Sequence, residues 1–384
     1  MTAPYTRVQL FSGGGARFGY YLGSYAALCE HNLKPDLIIA SCGGSLAALL
    51  VDIAPEPKQL QALSISQELF NVVRASQPRV PNHGNRHSLL SKTGYFPQAI
   101  KRWLLSKHEH RLNHFHRTDT HDSLLSELQH FAMFDIIDEA DWLESLMSLK
   151  DSTTNASYKF TALTAPDIAI IASRLLPAHA SIAPAFLQEV LFAPTNIVAQ
   201  SQFSFDCPIH AYAPQRIAPS IHMIEKWDIS QAVRVSMADM YYLQPRYIED
   251  LGWCLGGVID LTPIELASQL GQRIFAETKA PYDKHLATPA IKRIFGFDPN
   301  SRLNAVHNFK SNHLQHNAQI HWLPFADNGQ ALAGQHVQKR MNFRAGLIEL
   351  IHPEYDGFVQ QMQAQWQYGY ERTRDFLEHS RLSI

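Results

Sequence analysis

The sequence predicts an α/β fold in which a central, mostly parallel sheet is flanked by helices. Two observations carry this prediction. The chain opens as strand, glycine loop, helix, strand, sharp turn and helix, and strand-like runs return past residue 158 after a predominantly helical stretch. With 384 residues there is ample chain for one large α/β domain with insertions, or for two domains.

The elements follow in order. Residues 8–11 form a short apolar strand, and Ser12-Gly13-Gly14-Gly15 follows it. Consecutive glycines accept backbone angles that other residues avoid. Leu22, Tyr25, Ala26 and Cys29 recur at i, i+3, i+4 and i+7, one face of a helix that Asn32 and Pro35 end. Leu37-Ile38-Ile39-Ala40 is a continuous apolar run suited to a buried parallel strand. Behind the next turn, Leu46, Leu49 and Leu50 mark a second helix. The unit is a βαβ motif with an added helix, and its crossover is expected to be right-handed.

From about residue 55 to 155 the pattern turns helical, broken by a polar, Pro-, Gly- and His-containing segment at 76–91, and reads as an insertion. Strands are expected at 158–163 and 168–172, an apolar Ala/Pro-rich stretch at 175–199 and a strand at 257–260. Thr262 with Pro263 behind it starts a helix. Phe358, Met362, Trp366, Tyr370 and Phe376 place an amphipathic helix at 358–382 with its apolar face in the core. The expected organisation is one α/β domain over residues 1–284, including the insertion, and a mainly helical extension over 285–384 packed on it.

Composition excludes several classes. Lys+Arg 33 against Asp+Glu 35 gives a net charge of −2, too little field to hold nucleic acid. The charge-free run at 37–51 contains two glycines and two serines and falls short of the roughly 20 apolar residues of a membrane span. Residues 1–10 lack a basic stretch leading into an apolar one, so no secretory leader is recognised and a cytoplasmic location is expected. The four cysteines, Cys29, Cys42, Cys207 and Cys254, show no CxxC spacing and read as free thiols.

Two loops carry candidate chemistry. Gly13-Gly14-Gly15-Ala16-Arg17, between strand and helix, offers backbone N–H groups to an anion or a developing oxyanion. It lacks the Gly-Lys-Ser/Thr of a phosphate loop and does not fit GxGxxG. Ala40-Ser41-Cys42-Gly43-Gly44-Ser45 lies between a buried strand and a helix. In a nucleophile elbow such a turn lifts one side chain into a cleft, where the helix N-terminus favours negative charge. The apex here is the thiol of Cys42.

Together these stretches resemble the patatin-like phospholipase family, with its GGGxRG oxyanion loop, GxSxG elbow and distant DGG motif. A third landmark agrees: residues 235–245, followed by Leu255-Gly256-Gly257-Val258-Ile259-Asp260-Leu261-Thr262-Pro263, resemble the run ending in DGGVxDNxP. The resemblance implies a three-layer α/β/α fold and a Ser-Asp dyad that hydrolyses acyl esters of lipids. Each landmark departs from the pattern. Cys42 stands where the family has its serine, Leu255 where it has its aspartate, and Phe18 where the oxyanion loop ends in glycine.

A thiol tolerates these changes better than a hydroxyl. A helix N-terminus lowers a cysteine's pKa, and losing a nearby carboxylate removes a charge that would raise it, so Cys42 is expected to attack as thiolate and form a thioester. Deacylation by water lacks its usual base, which favours transfer to a better nucleophile. Asp239 is the candidate substitute carboxylate, with Glu249 and Asp250 behind it, and each also reads as a solvated or capping group. The expected site is Cys42 as nucleophile, Asp239 as substitute carboxylate, and Gly13, Gly14, Gly15, Arg17 and Gly43 around the oxyanion. An acyl-chain or acyl-thioester substrate is expected, with no cofactor, no metal, no nucleic acid and peripheral contact with a membrane. The competing expectation is a catalytically silent pocket for an acyl chain or protein partner, and a third is serine chemistry at Ser41 or Ser45.

Other candidates carry less. His108, His110, His114, His116 and His121 cluster without an acid or cysteine at a recognised spacing and read as solvated. His222 is the nearest histidine to the third landmark. Tyr20, Tyr21, Tyr241 and Tyr242 fit the cleft wall or the core, and residues 175–198 fit an acyl groove, a membrane contact or buried core.

Overall fold

The computed structural model describes residues 3–79, 121–155, 164–177, 185–198, 205–240, 242–285, 287–311, 317–342 and 347–380. The strand expected at 158–163, most of the polar segment at 76–91, His108, His110, His114, His116 and Tyr241 lie outside them.

The first strand, β1 (Tyr5–Ser12), and the second, β2 (Leu37–Ser41), pair in parallel across the helix α1 (Gly19–Glu30), as the opening motif predicts. The residues of β2 are all buried, which is why its sequence is an unbroken apolar run. The helix α2 (Gly43–Ile53) follows without a linker. A short hairpin, β3 (Ser76–Pro78) with β4 (Phe134–Ile136), stands apart from the main sheet. The main sheet continues with β5 (Asp167–Leu175), β6 (Leu187–Phe192), β7 (His222–Ile224), β8 (Arg246–Ile248), β9 (Gly252–Gly256), β10 (Gly271–Glu277) and β11 (Gln319–Leu323). A second hairpin joins β12 (Gln338–Asn342) to β13 (Leu347–Ile351).

The sheet order is β11-β10-β1-β2-β5-β6-β7, with β9 also paired to β5 and β8 to β9. The run from β11 to β5 is parallel, whereas β6 and β9 are antiparallel to β5. Side chains alternate between two cores. Val8, Leu10, Leu37 and Ile39 fill one face, and Phe11, Ile38 and Ala40 fill the other. Helices cover both faces, giving three layers. Helices of the insertion go to both: Pro57–Ser64, Gln67–Arg74 and Glu144–Asn155 beside α2, and His121–Phe131 on the opposite side.

One expectation changes. Residues 257–260 are a short 3-10 helix, and the strand is the preceding β9, because paired glycines at its end let the chain turn under β5. Within 175–198, the described residues include β6, whose six residues are buried, in line with the buried-core reading of that stretch.

The final helix, Tyr355–His379, packs along α1. A Cβ on Gly23 would lie 2.0 Å from the Trp366 carbonyl oxygen, and one on Gly369 would lie 1.9 Å from that of Tyr20. The two backbones touch because each helix presents glycine to the other.

Candidate active site

Cys42 sits between the end of β2 and the start of α2 with φ 50° and ψ −127°, a conformation that side-chain-bearing residues rarely adopt. Such strain persists only where neighbours hold it. Here the Cys42 N–H donates to Ser236 Oγ at 2.9 Å, and that hydroxyl donates to the Ile171 carbonyl at 2.7 Å. The Cys42 carbonyl accepts from Ser45 N–H at 3.0 Å and Ser45 Oγ at 2.6 Å. Backbone donors and acceptors at the apex are thus occupied, and Cys42 lines a cavity of about 540 Å³.

The glycine loop forms the wall beside it. Gly13, Gly14 and Gly15 have φ of 98°, 81° and 55°, the region that glycine enters without penalty. The Gly13 N–H is engaged by the Phe11 carbonyl at 3.1 Å, and the Gly14 carbonyl accepts from Arg17 N–H at 3.0 Å. Gly14 and Gly15 line the cavity with Cys42. Gly43 abuts them: a Cβ there would lie 2.5 Å from Gly15 O and 2.8 Å from Gly15 N. The Gly43 backbone amide acts on the Cys42 thiol, favouring its charged form. Donors from a loop and from the residue after the nucleophile are the two halves of an oxyanion hole in strand–turn–helix enzymes.

Asp239 lines the same cavity. It follows the helix Ile229–Met237, at a turn where its carbonyl accepts from Tyr242 N–H at 2.8 Å. Glycines of the third landmark place that turn. A Cβ on Gly256 would lie 2.8 Å from Asp239 N, and the Gly256 N–H donates to the Ala238 carbonyl at 2.8 Å. Leu255 is buried in the core on β9 and does not line the cavity. Glu249 and Asp250 lie exposed in the β8–β9 turn, away from it. Of the three substitute carboxylates, Asp239 alone reaches the thiol's cavity.

The electrostatics correct one expectation. Burial pushes the Cys42 thiol up to about 12, and the Asp239 charge adds to the rise; the Gly43 amide, Lys279 and Lys339 pull in the opposite direction without offsetting it. Cys42 therefore rests as a thiol, although α2 begins beside it. A helix terminus lowers a thiol's pKa when the site is wet, and here desolvation dominates.

Arg17 lines the cavity through the 3-10 turn Gly15–Arg17. Tyr242 also lines it, with the Lys339 ammonium 4.7 Å from its ring centroid. Tyr20 and Tyr21 instead lie under the loop, their hydroxyls donating to Glu277 Oε2 at 2.7 Å and Oε1 at 2.6 Å. Ser41 Oγ donates to the Leu261 carbonyl at 3.2 Å, so both elbow serines are buried and bonded to backbone. His222 sits on β7 outside the cavity.

Sequence reasoning missed His336, Lys339 and His352, which line the cavity from the hairpin β12–β13 and its flanks. His336 Nδ1 lies 3.2 Å from the Leu332 carbonyl and His352 Nε2 lies 2.9 Å from that of Ser76. Burial holds both imidazoles below the usual histidine range. Only their number among 20 histidines was visible in the sequence. Among the described residues no group of His, Cys, Asp and Glu is placed to hold a metal ion, and no helix is long and apolar enough to cross a membrane.

Fold and cavity define an α/β protein in which a strained strand–helix turn bearing Cys42 shares one cavity with a glycine-rich loop. The chain belongs to the patatin-like phospholipase family, whose sequence model matches residues 10–268. Solved structures similar to it include VipD from Legionella pneumophila, at 13% identity and a TM-score of 0.37, covering 98% of this chain and 67% of that one. The type III effector ExoU gives 15% identity and a TM-score of 0.34, covering 98% of this chain and 54% of that one. ExoU with SpcU from Pseudomonas aeruginosa gives 12% and 0.34, covering 99% and 53%. The chain spans about half the length of the ExoU chains it matches. No curated protein sequence matches it.

Proposed function

We propose that this protein transfers or hydrolyses acyl groups of lipid-type esters or thioesters through a Cys42–Asp239 pair. The observation that carries the reading is the thiol of a strained elbow sharing one cavity with a carboxylate and the Gly14 and Gly15 loop. Cys42 Sγ attacks the acyl carbonyl carbon while Asp239 takes the S–H proton. The carbonyl oxygen gains the negative charge and is met by the Gly14, Gly15 and Gly43 amides. Collapse breaks the bond to the leaving alcohol or thiol, which takes the proton from Asp239, and leaves a thioester on Cys42. Water or another acceptor then gives its proton to Asp239, attacks the thioester, and releases Cys42 as thiol.

A thiol held near 12 needs a base, which makes the carboxylate's position decisive. Because that base also serves deacylation, hydrolysis is as accessible as transfer. The raised thiol, with leucine at position 255, favours the second reading, a silent acyl-binding pocket.

Intact-mass spectrometry after exposure to acyl thioesters and activated esters tests the first reading, with Cys42→Ala and Cys42→Ser in parallel. An adduct mapping to Cys42 and discharged by water, amines or alcohols is expected. No adduct, on a thiol also inert to alkylation, sinks it.

A further inference from the structure

We infer that Gln365, on the final helix, is a positioning residue that holds the glycine loop where its amides meet the oxyanion. The inference rests on the acyl-transfer reading above for its chemistry, but its geometry stands separately.

Gln365 is 1% exposed, and its side-chain amide is fully engaged. Oε1 accepts from Gly19 N–H at 2.9 Å, while Nε2 donates to the Ala16 carbonyl at 3.3 Å and to the Gln335 carbonyl at 2.6 Å. Burying a primary amide is unfavourable unless its donors and acceptor are all met. Two of the three bonds go to Ala16 and Gly19, which follow the proposed oxyanion donors Gly14 and Gly15 directly and tie the end of their loop to α1.

The local sequence cannot supply these bonds. Phe18 occupies the N-cap of α1 and has no side-chain acceptor, so Gly19 N–H, one of the helix's unpaired first donors, depends on Gln365. Glycine at 19 lets Gln365 approach, since a Cβ there would lie 2.8 Å from Oε1.

The other end of the loop is held from just beyond β10. Lys279 Nζ donates to the Ser12 carbonyl and pairs with the buried Glu277 at 2.7 Å. Between these anchors lie three glycines with positive φ, the segment with least backbone restraint of its own. The final helix lies beyond residues 10–268, so this contact comes from outside the segment the family model matches.

The test compares Gln365→Leu and Gln365→Glu with the parent, using p-nitrophenyl butyrate to acylate Cys42 and iodoacetamide to alkylate it. Alkylation builds no oxyanion and so reports the thiol alone. For Gln365→Leu the limiting acylation rate is expected to fall at least ~10-fold, less than the 10²–10³ of a deleted oxyanion donor. The half-saturating ester concentration and the alkylation rate should stay unchanged. Gln365→Glu keeps the acceptor for Gly19, loses the donor to Ala16, and should fall between. Residue-resolved hydrogen exchange should show the Arg17 amide, bonded to the Gly14 carbonyl, exchanging faster in both variants than in the parent.

Unchanged acylation with unchanged Arg17 exchange overturns the inference. So does an equal fall in acylation and alkylation, which marks a cleft disturbed as a whole. If the parent itself takes no acyl group, Arg17 exchange alone decides the positioning role, and the acyl-transfer reading falls separately.

Discussion

Replacing Asp239 with asparagine separates two ways in which the thiol can attack. With Cys42 held near 12, about one molecule in 10⁵ is thiolate at pH 7, which corresponds to roughly 7 kcal/mol of barrier for an attack that must wait for it. A base in the cavity avoids that wait by taking the proton as the S–C bond forms. The parent is therefore expected to acylate at a rate nearly independent of pH between about 6 and 9. Asp239→Asn should acylate roughly 10²–10⁴-fold more slowly at pH 7, the usual worth of a positioned base, and gain about tenfold per pH unit as thiolate becomes its only nucleophile. Alkylation must move the opposite way. Asp239's charge helps to raise the thiol, so its loss lowers that pKa, and iodoacetamide should react faster with the variant at every pH. Stopped-flow acylation with p-nitrophenyl butyrate and timed iodoacetamide labelling across the pH range supply both curves. An Asp239→Asn protein that acylates at the parental rate and with the parental pH profile would refute the base assignment.

Three further outcomes follow from the geometry. Gly43→Ala should lose acylation by at least about 10² and lower the melting temperature, because its Cβ would meet the Gly15 backbone at 2.5 Å and no flexible atom can yield; calorimetry and intact-mass kinetics check both. Arg302→Met should cost about 3–5 kcal/mol in urea unfolding, since Arg302 bridges the buried Asp260 at 2.8 Å and Glu265 at 2.6 Å. Burial, and then the charge of Asp260, raise Glu189 to about 8, so the folded state holds a proton that the unfolded chain releases near 4.3. Its share of stability is present below pH 4 and is lost as pH rises toward 8, and Glu189→Gln should gain on the parent across that window; a gain that does not grow with pH would count against it.

Much of the fold was legible because its signals are local. Continuous apolar runs, glycines after a strand and i, i+3, i+4 spacing each express a preference of neighbouring residues, and β1, α1, β2 and α2 lie where those preferences put them. The tight turn at Cys42 was legible for the same reason, since Gly43 and Gly44 stand beside it in the sequence and let the Gly15 and Phe11 backbones approach, whereas the bond from Ser236 that holds its strain was not. The strand expected at 257–260 was misplaced by one element because an apolar run does not say whether it lies in a sheet or turns beneath one.

The sequence by itself determined a thiol at the apex of a tight turn, a glycine loop before a helix, and a leucine in place of the family's aspartate. Tertiary structure decided what the thiol meets. Asp239, His336, Lys339 and His352 reach its cavity, and Gln365 its loop, from segments nearly two hundred residues or more along the chain. No periodicity encodes such meetings; they follow from sheet order, from glycines that let Gly256 touch the Asp239 turn and Gly369 touch α1, and from two cores closing at once. The thiol's resting charge was decided there too. The helix N-terminus that favours thiolate is local, whereas the burial that outweighs it is a property of the whole fold.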